Sequence, residues 1–396
     1  MTAGPRHAVR PETLAMIERL IGFDTTSRES NLGLIEWVRD WLKARGIESR
    51  LVYNAGANKA NLFATITGKR DVRDRPGIVL SGHTDVVPVD GQAWDTDPFV
   101  ATVKGDKLYA RGACDMKSYV ATALAMTPRF IDADLKSPIH LAFSYDEELG
   151  CLGVRGLLDA LGREGFRAAG CIVGEPTGMR VVVAHKGLRA FRCRVHGREA
   201  HSSLTPQGVN AIEYAARLIA YIREIADRMA TQENRDRGFD VPFTTLQTGR
   251  ISGGIVANIV PRLCEFHFEF RYLPGANPDA IEQEIREYAE SLLLEMRRVA
   301  PEAQIELELK AAIPGSDAAE SAPITALARG LARSSGTSKV AYATEAGLFQ
   351  QAGIPAIICG PGSIEQAHKP NEFVTLDQIH ACELFMEKLT EQLCRD

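Results

Sequence analysis

The chain is 396 residues long, with 46 Lys and Arg against 51 Asp and Glu, a formal charge of -5. Hydrophobic residues make up 45% and charged residues 24%, a globular mixture with enough core to need no disulfide staples, which excludes disordered, collagen-like and coiled-coil readings. The mild acidity argues against a general nucleic-acid binder, and no apolar run approaches the ~18 residues of a membrane span.

The first 23 residues, MTAGPRHAVRPETLAMIERLIGF, hold no uninterrupted apolar segment of the kind a signal peptide needs. The eight cysteines are scattered singly without CxxC spacing. That pattern suits buried thiols in a reducing compartment, so a cytoplasmic location is expected.

The length predicts two domains. Pro11 opens a helix on which Leu14, Ile17, Leu20 and Ile21 recur at helical spacing, and a second helix is predicted over 32–45, stopped by Gly46. Short apolar strands follow at 61–67, 78–82, 138–145 and 170–174, with helices near 116–130 and 153–162. This alternation predicts an α/β layer with a mixed, largely parallel sheet flanked by helices. Near residue 187 the pattern changes. Segments 188–196 and 264–270 alternate strictly, as strands with one solvated face do. Helices fit 209–229 and 278–298, and further strands fit 243–251 and 304–310. The order β-α-β-β-α-β predicts an inserted ferredoxin-like α+β domain over 187–311, with 1–186 and 312–396 forming one discontinuous domain. Strands near 339–342 and 355–359 and a helix near 375–393 complete the chain, and the polar run 231–240 reads as a loop.

The strongest chemical candidates lie outside the insert, mostly just after a predicted strand, where ligands bind in open α/β sheets. His83 ends one strand, with Asp85 two residues on, near enough to accept the other ring N–H and fix the tautomer. Taken alone, this is also a plain hydrogen-bonded turn. Asp115 precedes a helix and alone reads as an N-cap. Glu147 and Glu148 follow the apolar run HLAFSY, and Glu175 follows CIVG. Carboxylates so placed need a compensating cation if they are desolvated. His368 follows the glycine-rich CGPGS. Histidine with carboxylate donors and no cysteine suits zinc, cobalt or manganese. Two divalent cations with two His and three carboxylates sum to about +1, which one hydroxide neutralises; that is the composition of a paired-metal hydrolase.

Three other signals carry little. Gly253-Gly254 and Gly360-Pro361-Gly362 lack phosphate-loop spacing, and Ser202 and Ser203 lack the GxSxG context of a serine hydrolase. Arg189, Arg192, Arg194 and Arg198 read as a solvated strand face.

The segments SGHTDVVP, ARGACDMK, DEELG, GEPT, GREAHSS and QAHKPNE, in this order and spacing, resemble the M20 family of metallopeptidases and deacylases across essentially the whole chain. The resemblance implies two divalent metal ions, zinc or cobalt. His83 and Glu175 would bind one, Glu148 and His368 the other, and Asp115 would bridge them. Glu147 would be the general base and proton shuttle, and Asp85 would orient His83. Cys114 need not be a ligand. The stretch ATEAGLFQQAGIPAIICGPGSIEQAHKPNEF is most similar to members that deacetylate N2-acetyl-L-ornithine, so ornithine and acetate are the expected products. The alternatives are another N-acyl amino acid such as N-succinyl-diaminopimelate, a dipeptide, or a binding homologue without turnover. The resemblance further implies a homodimer joined through the inserted domain as a lid. There His201 would help stabilise the oxyanion in the partner's site, while Asn258 and Arg271 would hold substrate. Arg271 could pair with an α-carboxylate, and Glu345 is an acidic candidate for a substrate ammonium. The expected partner is thus a small N-acyl amino acid, with no nucleic acid and no membrane.

Overall fold

The computed structural model describes residues 9–334 and 336–395. The first eight residues of the N-terminal stretch discussed above lie outside them. The described residues divide into two compact units. One comprises the chain up to Ala184, Ser316–Lys339 and the chain from Thr344 onward; the other comprises His185–Gly315 and Val340–Ala343.

In chain order the strands are β1 (Ser49–Tyr53), β2 (Ala60–Ile66), β3 (Gly77–His83), β4 (Thr102–Lys104), β5 (Lys107–Tyr109), β6 (Ile139–Ser144), β7 (Ala168–Pro176) and β8 (Val182–His185). Then come β9 (Gly187–His196), β10 (Thr245–Gly253), β11 (Leu263–Tyr272) and β12 (Gln304–Ile313). The last are β13 (Ser316–Asp317), β14 (Ser338–Val340), β15 (Ala356–Gly360) and β16 (Phe373–Thr375). The helices are α1 (Pro11–Ile21), α2 (Leu32–Lys43), α3 (Lys117–Asp132), α4 (Leu152–Arg163), α5 (Ala211–Gln232), α6 (Pro278–Arg297), α7 (Pro323–Ala332), α8 (Ala346–Gln351) and α9 (Leu376–Leu393).

The first unit is built on a nine-stranded sheet in the order β1-β2-β6-β3-β7-β15-β8-β13, with β14 paired to β8. Its centre is parallel, from β6 through β3 and β7 to β15. Antiparallel pairs flank it: β1 with β2, β2 with β6, and β15 with β8. The sheet is therefore mixed, with parallel pairing at its centre. Strands β3 and β6 are buried along their whole length, as two-sided strands must be. Helix α3 carries Tyr119, Val120, Leu124 and Phe130 fully inside. Each such side chain contributes roughly 1.5–3 kcal/mol relative to exposure.

The second unit has the sheet order β10-β11-β9-β12, antiparallel throughout. Read from the other edge this is 4-1-3-2, the ferredoxin-like arrangement. Cys264, Phe266, Phe268 and Phe270 of β11 are buried, in one cluster with Leu218 and Ile222 of α5 and Ile285 and Leu292 of α6. On the strands' other face Arg192 pairs with Glu308 and Arg194 with Glu265, while Arg198 pairs with Glu302. The local basic cluster is thus neutralised by neighbouring carboxylates.

All eight cysteines are free, and seven are buried. No helix among the described residues is long and apolar enough to cross a membrane.

Candidate metal centre

Parallel strands end on one edge of a sheet, and this edge collects the candidate residues. His83 is the last residue of β3 and Glu175 lies near the end of β7. Glu147 and Glu148 come two and three residues after Tyr145, which follows β6. Asp115 sits in the loop before α3. The N-cap position of that helix is Met116, with no side-chain cap. Asp115 is therefore free of the capping role that its sequence position suggests.

Its carboxylate instead reaches two histidines. Asp115 Oδ1 is 2.9 Å from His83 Nε2, and Oδ2 is 3.3 Å from His368 Nε2. His83 Nε2 is also 3.7 Å from Glu175 Oε1, and His368 Nε2 is 3.1 Å from Glu148 Oε2. Two groups result, His83 with Asp115 and Glu175, and Asp115 with Glu148 and His368. Within each, the ligand atoms all lie within 4.8 Å of one another. The two groups share Asp115.

The fit to cations rests on the carboxylates. Glu148 Oε1 and Glu175 Oε1 are buried and have no hydrogen-bond partner among the described residues. A buried anionic oxygen without a partner is costly, and a cation bound beside it removes that cost. The titration behaviour points the same way. Burial raises Glu175 well above the usual carboxylate range, and Asp115 adds to the shift. Burial and Asp115 push Glu148 up to about 7. Burial opposes protonation of His83, but Asp115 and Asp85 outweigh it and raise its pKa well above normal. His368 is raised to about 10 by Asp115 and Glu148. The cluster holds more negative charge than its histidines balance, and the nitrogen and oxygen donors suit zinc or cobalt.

Glu147 stands beside this cluster. Burial raises its pKa well above the ordinary value, and Glu148 and Asp115 reinforce the shift against the opposing His83. Its Oε1 accepts a hydrogen bond from Cys151 Sγ at 3.3 Å. Asp85 acts through two different groups. Its main-chain carbonyl lies 2.9 Å from His83 Nδ1, whereas its carboxylate is 3.6 Å from that nitrogen. The carboxylate accepts the Ser27 hydroxyl and the backbone N–H groups of Glu147 and Glu148. It thereby ties the His83 strand end to the loop carrying the two glutamates.

Cys114 is outside both groups. Its thiol donates to the Ser363 carbonyl, and burial with nearby Glu372 raises its pKa, so it stays protonated. Glu345 lies inside the fold. It is 1% exposed, held by Ser144 Oγ at 2.5 Å and Ser81 Oγ at 3.3 Å, and burial pushes it up to about 7. It braces the ends of β3 and β6 from inside.

In the second unit His201 and Asn258 come together. His201 forms an isolated bridge with Ile259, and the N–H of Ser202 donates to the Asn258 carbonyl. Both side chains are exposed, and His201 Nδ1 lies 2.7 Å from Ser203 Oγ. Arg271 is on β11, half-buried, with Nε 3.1 Å from Glu269 Oε1. The sequence reading gave no role to Lys59, whose ammonium pairs with Asp146, or to Glu372 in the last motif. Both are buried charges; the signal available for Glu372 was its place in QAHKPNE, and Lys59 lies in none of the recognised segments.

Residues 79–392 match peptidase family M20/M25/M40. The acetylornithine deacetylase of Myxococcus xanthus is 34% identical over 391 residues, covering 97% of this chain and 98% of the relative. That of Pasteurella multocida is 32% identical over 396 residues, again covering 97% and 98%. Among solved structures, the M20 family metallo-carboxypeptidase Sso-CP2 of Sulfolobus solfataricus aligns with a TM-score of 0.77 at 17% identity, covering 97% of this chain and all of that one. Bacillus subtilis YXEP, described as a dinuclear metal binding peptidase from the M20 family, aligns with a TM-score of 0.65 at 17% identity, covering 96% of each. The structural likeness shows a shared fold, and the sequence match shows descent: the chain belongs to peptidase family M20/M25/M40, a family of metal-dependent hydrolases of amide bonds.

Proposed function

We propose that the protein deacetylates N2-acetyl-L-ornithine, giving L-ornithine and acetate. The observation that carries the chemistry is the pair of donor groups sharing Asp115, with Glu147 beside them. The substrate rests on the 34% identity to an acetylornithine deacetylase over nearly the full length of both chains.

In this reading His83 and Glu175 hold one divalent ion, zinc or cobalt, Glu148 and His368 hold a second, and Asp115 serves both. Bound ions of this kind polarise an amide carbonyl and make water a stronger acid. Glu147 takes the proton from the attacking water and returns it to the leaving amine. A carboxylate standing beside the donor groups is placed to carry a proton between two transfers. The hydrogen bond from Cys151 fixes one carboxylate oxygen, leaving the other for the water. Asp85 keeps His83 and the Glu147–Glu148 loop in register.

For the second unit we propose a lid and dimerisation domain, by likeness to the family. Arg271 takes the substrate α-carboxylate, Asn258 holds substrate, and His201 stabilises the oxyanion in the partner copy of a homodimer. Their accessible side chains are compatible with these tasks.

The competing substrates are a peptide, favoured by the peptidase names of the structural neighbours, and another N-acyl amino acid. Rates measured side by side on N2-acetylornithine, N-succinyl-diaminopimelate and dipeptides decide between them. A preference for acetylornithine in kcat/KM of tenfold or more is expected; a better rate on either rival overturns the substrate assignment. Absence of hydrolysis on every acylated amino acid would favour a binding homologue.

A further inference from the structure

The last motif contains a buried carboxylate that touches none of the candidate ligand side chains. Glu372 is 0% exposed. It lies directly before β16, which pairs with β5, placing Phe373 opposite Tyr109. The pairing continues one step further, since the N–H of Ala110 donates to the Glu372 carbonyl. The glutamate side chain is thus delivered against the loop that runs from Arg111 to Asp115.

There it accepts four hydrogen bonds. Oε1 takes the backbone N–H groups of Cys114 at 2.8 Å and Asp115 at 3.0 Å. Oε2 takes the Gly112 N–H at 3.2 Å and Arg111 Nη1 at 2.7 Å. A carboxylate can accept about this many bonds and no more, so its lone pairs are committed to one loop. Arg111 carries the connection onward. Its Nη2 donates to Gln92 Oε1 at 2.6 Å, and Gln92 Nε2 donates to the His368 carbonyl at 3.1 Å. Arg111 Nη1 also approaches the Lys369 carbonyl at 3.4 Å. The network closes on itself through the chain from His368 to Glu372.

His368 sits at φ 65 and Asn371 at φ 58, a left-handed backbone that residues with a Cβ adopt reluctantly. Such a turn persists when its surroundings over-determine it. The Glu372–Arg111–Gln92 network does that, and the same glutamate fixes the N–H of Asp115. We propose that Glu372 is a positioning residue that sets Asp115 and His368 as a pair for the ion they share with Glu148. This rests on the metal-site reading given above. Glu372 acts through Asp115's backbone N–H and His368's main-chain carbonyl, not by touching an ion.

A purely structural ion pair would lower stability and affect both donor groups alike. A positioning role falls mainly on the group containing His368, because that group loses the placement of two donors and the other loses one. The test is a cobalt(II) titration of chelator-stripped full-length protein, followed by visible absorption, for wild type, Glu372→Gln and Gln92→Ala. His368→Ala marks which binding step belongs to His368. The glutamine amide nitrogen cannot accept the two bonds that one carboxylate oxygen accepts. Glu372→Gln is expected to weaken the His368 step by about 10–100-fold, the range for outer groups that orient ligands, with a smaller loss at the other step. Gln92→Ala is expected to weaken the His368 step at least threefold. Both steps within twofold of wild type in Glu372→Gln, or equal losses at both, overturn the proposal. If Glu372→Gln does not fold, Gln92→Ala decides: a selective loss supports the proposal and no change overturns it. A wild-type chain that takes up no ion overturns the metal-site reading and this proposal with it. A wild-type chain with two steps and unaffected variants overturns this proposal alone.

Discussion

Lys59 Nζ lies 2.5 Å from Asp146 Oδ1 in an ion pair whose side chains are only 9% and 13% exposed. Asp146 opens the loop that carries Glu147 and Glu148 and sits at φ 53, so the pair holds a strained turn beside the candidate centre. Lys59 also donates to the Ser27 carbonyl. Removing one partner of a buried pair strands the other charge, at about 3–5 kcal/mol. Lys59→Met is expected to lose stability of that order in urea unfolding. Lys59→Met with Asp146→Asn is expected to recover at least half, since asparagine tolerates the backbone and carries no charge. A loss below about 1 kcal/mol in the single variant contradicts the account.

Glu147→Ala separates the base from the ligands. The variant is expected to keep the wild-type ion content by elemental analysis and to lose about 10²–10⁴-fold in kcat, the range for a positioned general base. Turnover near wild type removes Glu147 from the mechanism.

Most of the fold was legible because its elements are long enough to show a period. The alternation of Cys264, Phe266, Phe268 and Phe270 predicts β11, and the apolar runs at 78–82 and 138–145 predict β3 and β6. Strands β4, β5 and β16 have three residues each, too few for any period, and they were not foreseen. Helix α7, Pro323–Ala332, was also missed, although Pro323 stands at its first position. The candidate site was legible where a polar residue directly follows an apolar strand. The buried setting of Glu345 was not legible, because its partners Ser81 and Ser144 stand 264 and 201 residues away in sequence. No local pattern reports that a carboxylate will be folded inside.

Glycine at 174 is a packing requirement immediately before Glu175. A Cβ there would lie 2.1 Å from the Tyr119 ring, and that ring is fixed by its hydroxyl bond to the Ile172 carbonyl. Gly174→Ala is expected to cost about 1–3 kcal/mol or more of stability and to displace Glu175. A melting temperature and ion affinity equal to wild type contradict this.

His140 predicts a pH effect away from the centre. Its ring stacks on Phe63, meets Phe166 edge-on and shares a hydrogen bond with Thr65 Oγ1, and burial pushes its pKa down to about 4. Unfolded, the ring takes a proton below its ordinary 6.5; folded, it stays neutral to about 4. The unfolded state therefore binds more protons in that window, and stability falls as pH drops from 6.5 toward 4. The full effect is about 3 kcal/mol. His140→Phe keeps the ring contacts, and its stability is expected to fall less over that window than that of wild type. An identical slope in both proteins contradicts the assignment.

The most direct test of the central claim is hydrolysis of N2-acetylornithine by chelator-stripped protein, before and after adding back zinc or cobalt. The account predicts no turnover when stripped and its return with either ion, saturating as two ions per chain bind. Turnover that survives complete removal of metal, or failure to hydrolyse with two ions demonstrably bound, contradicts it.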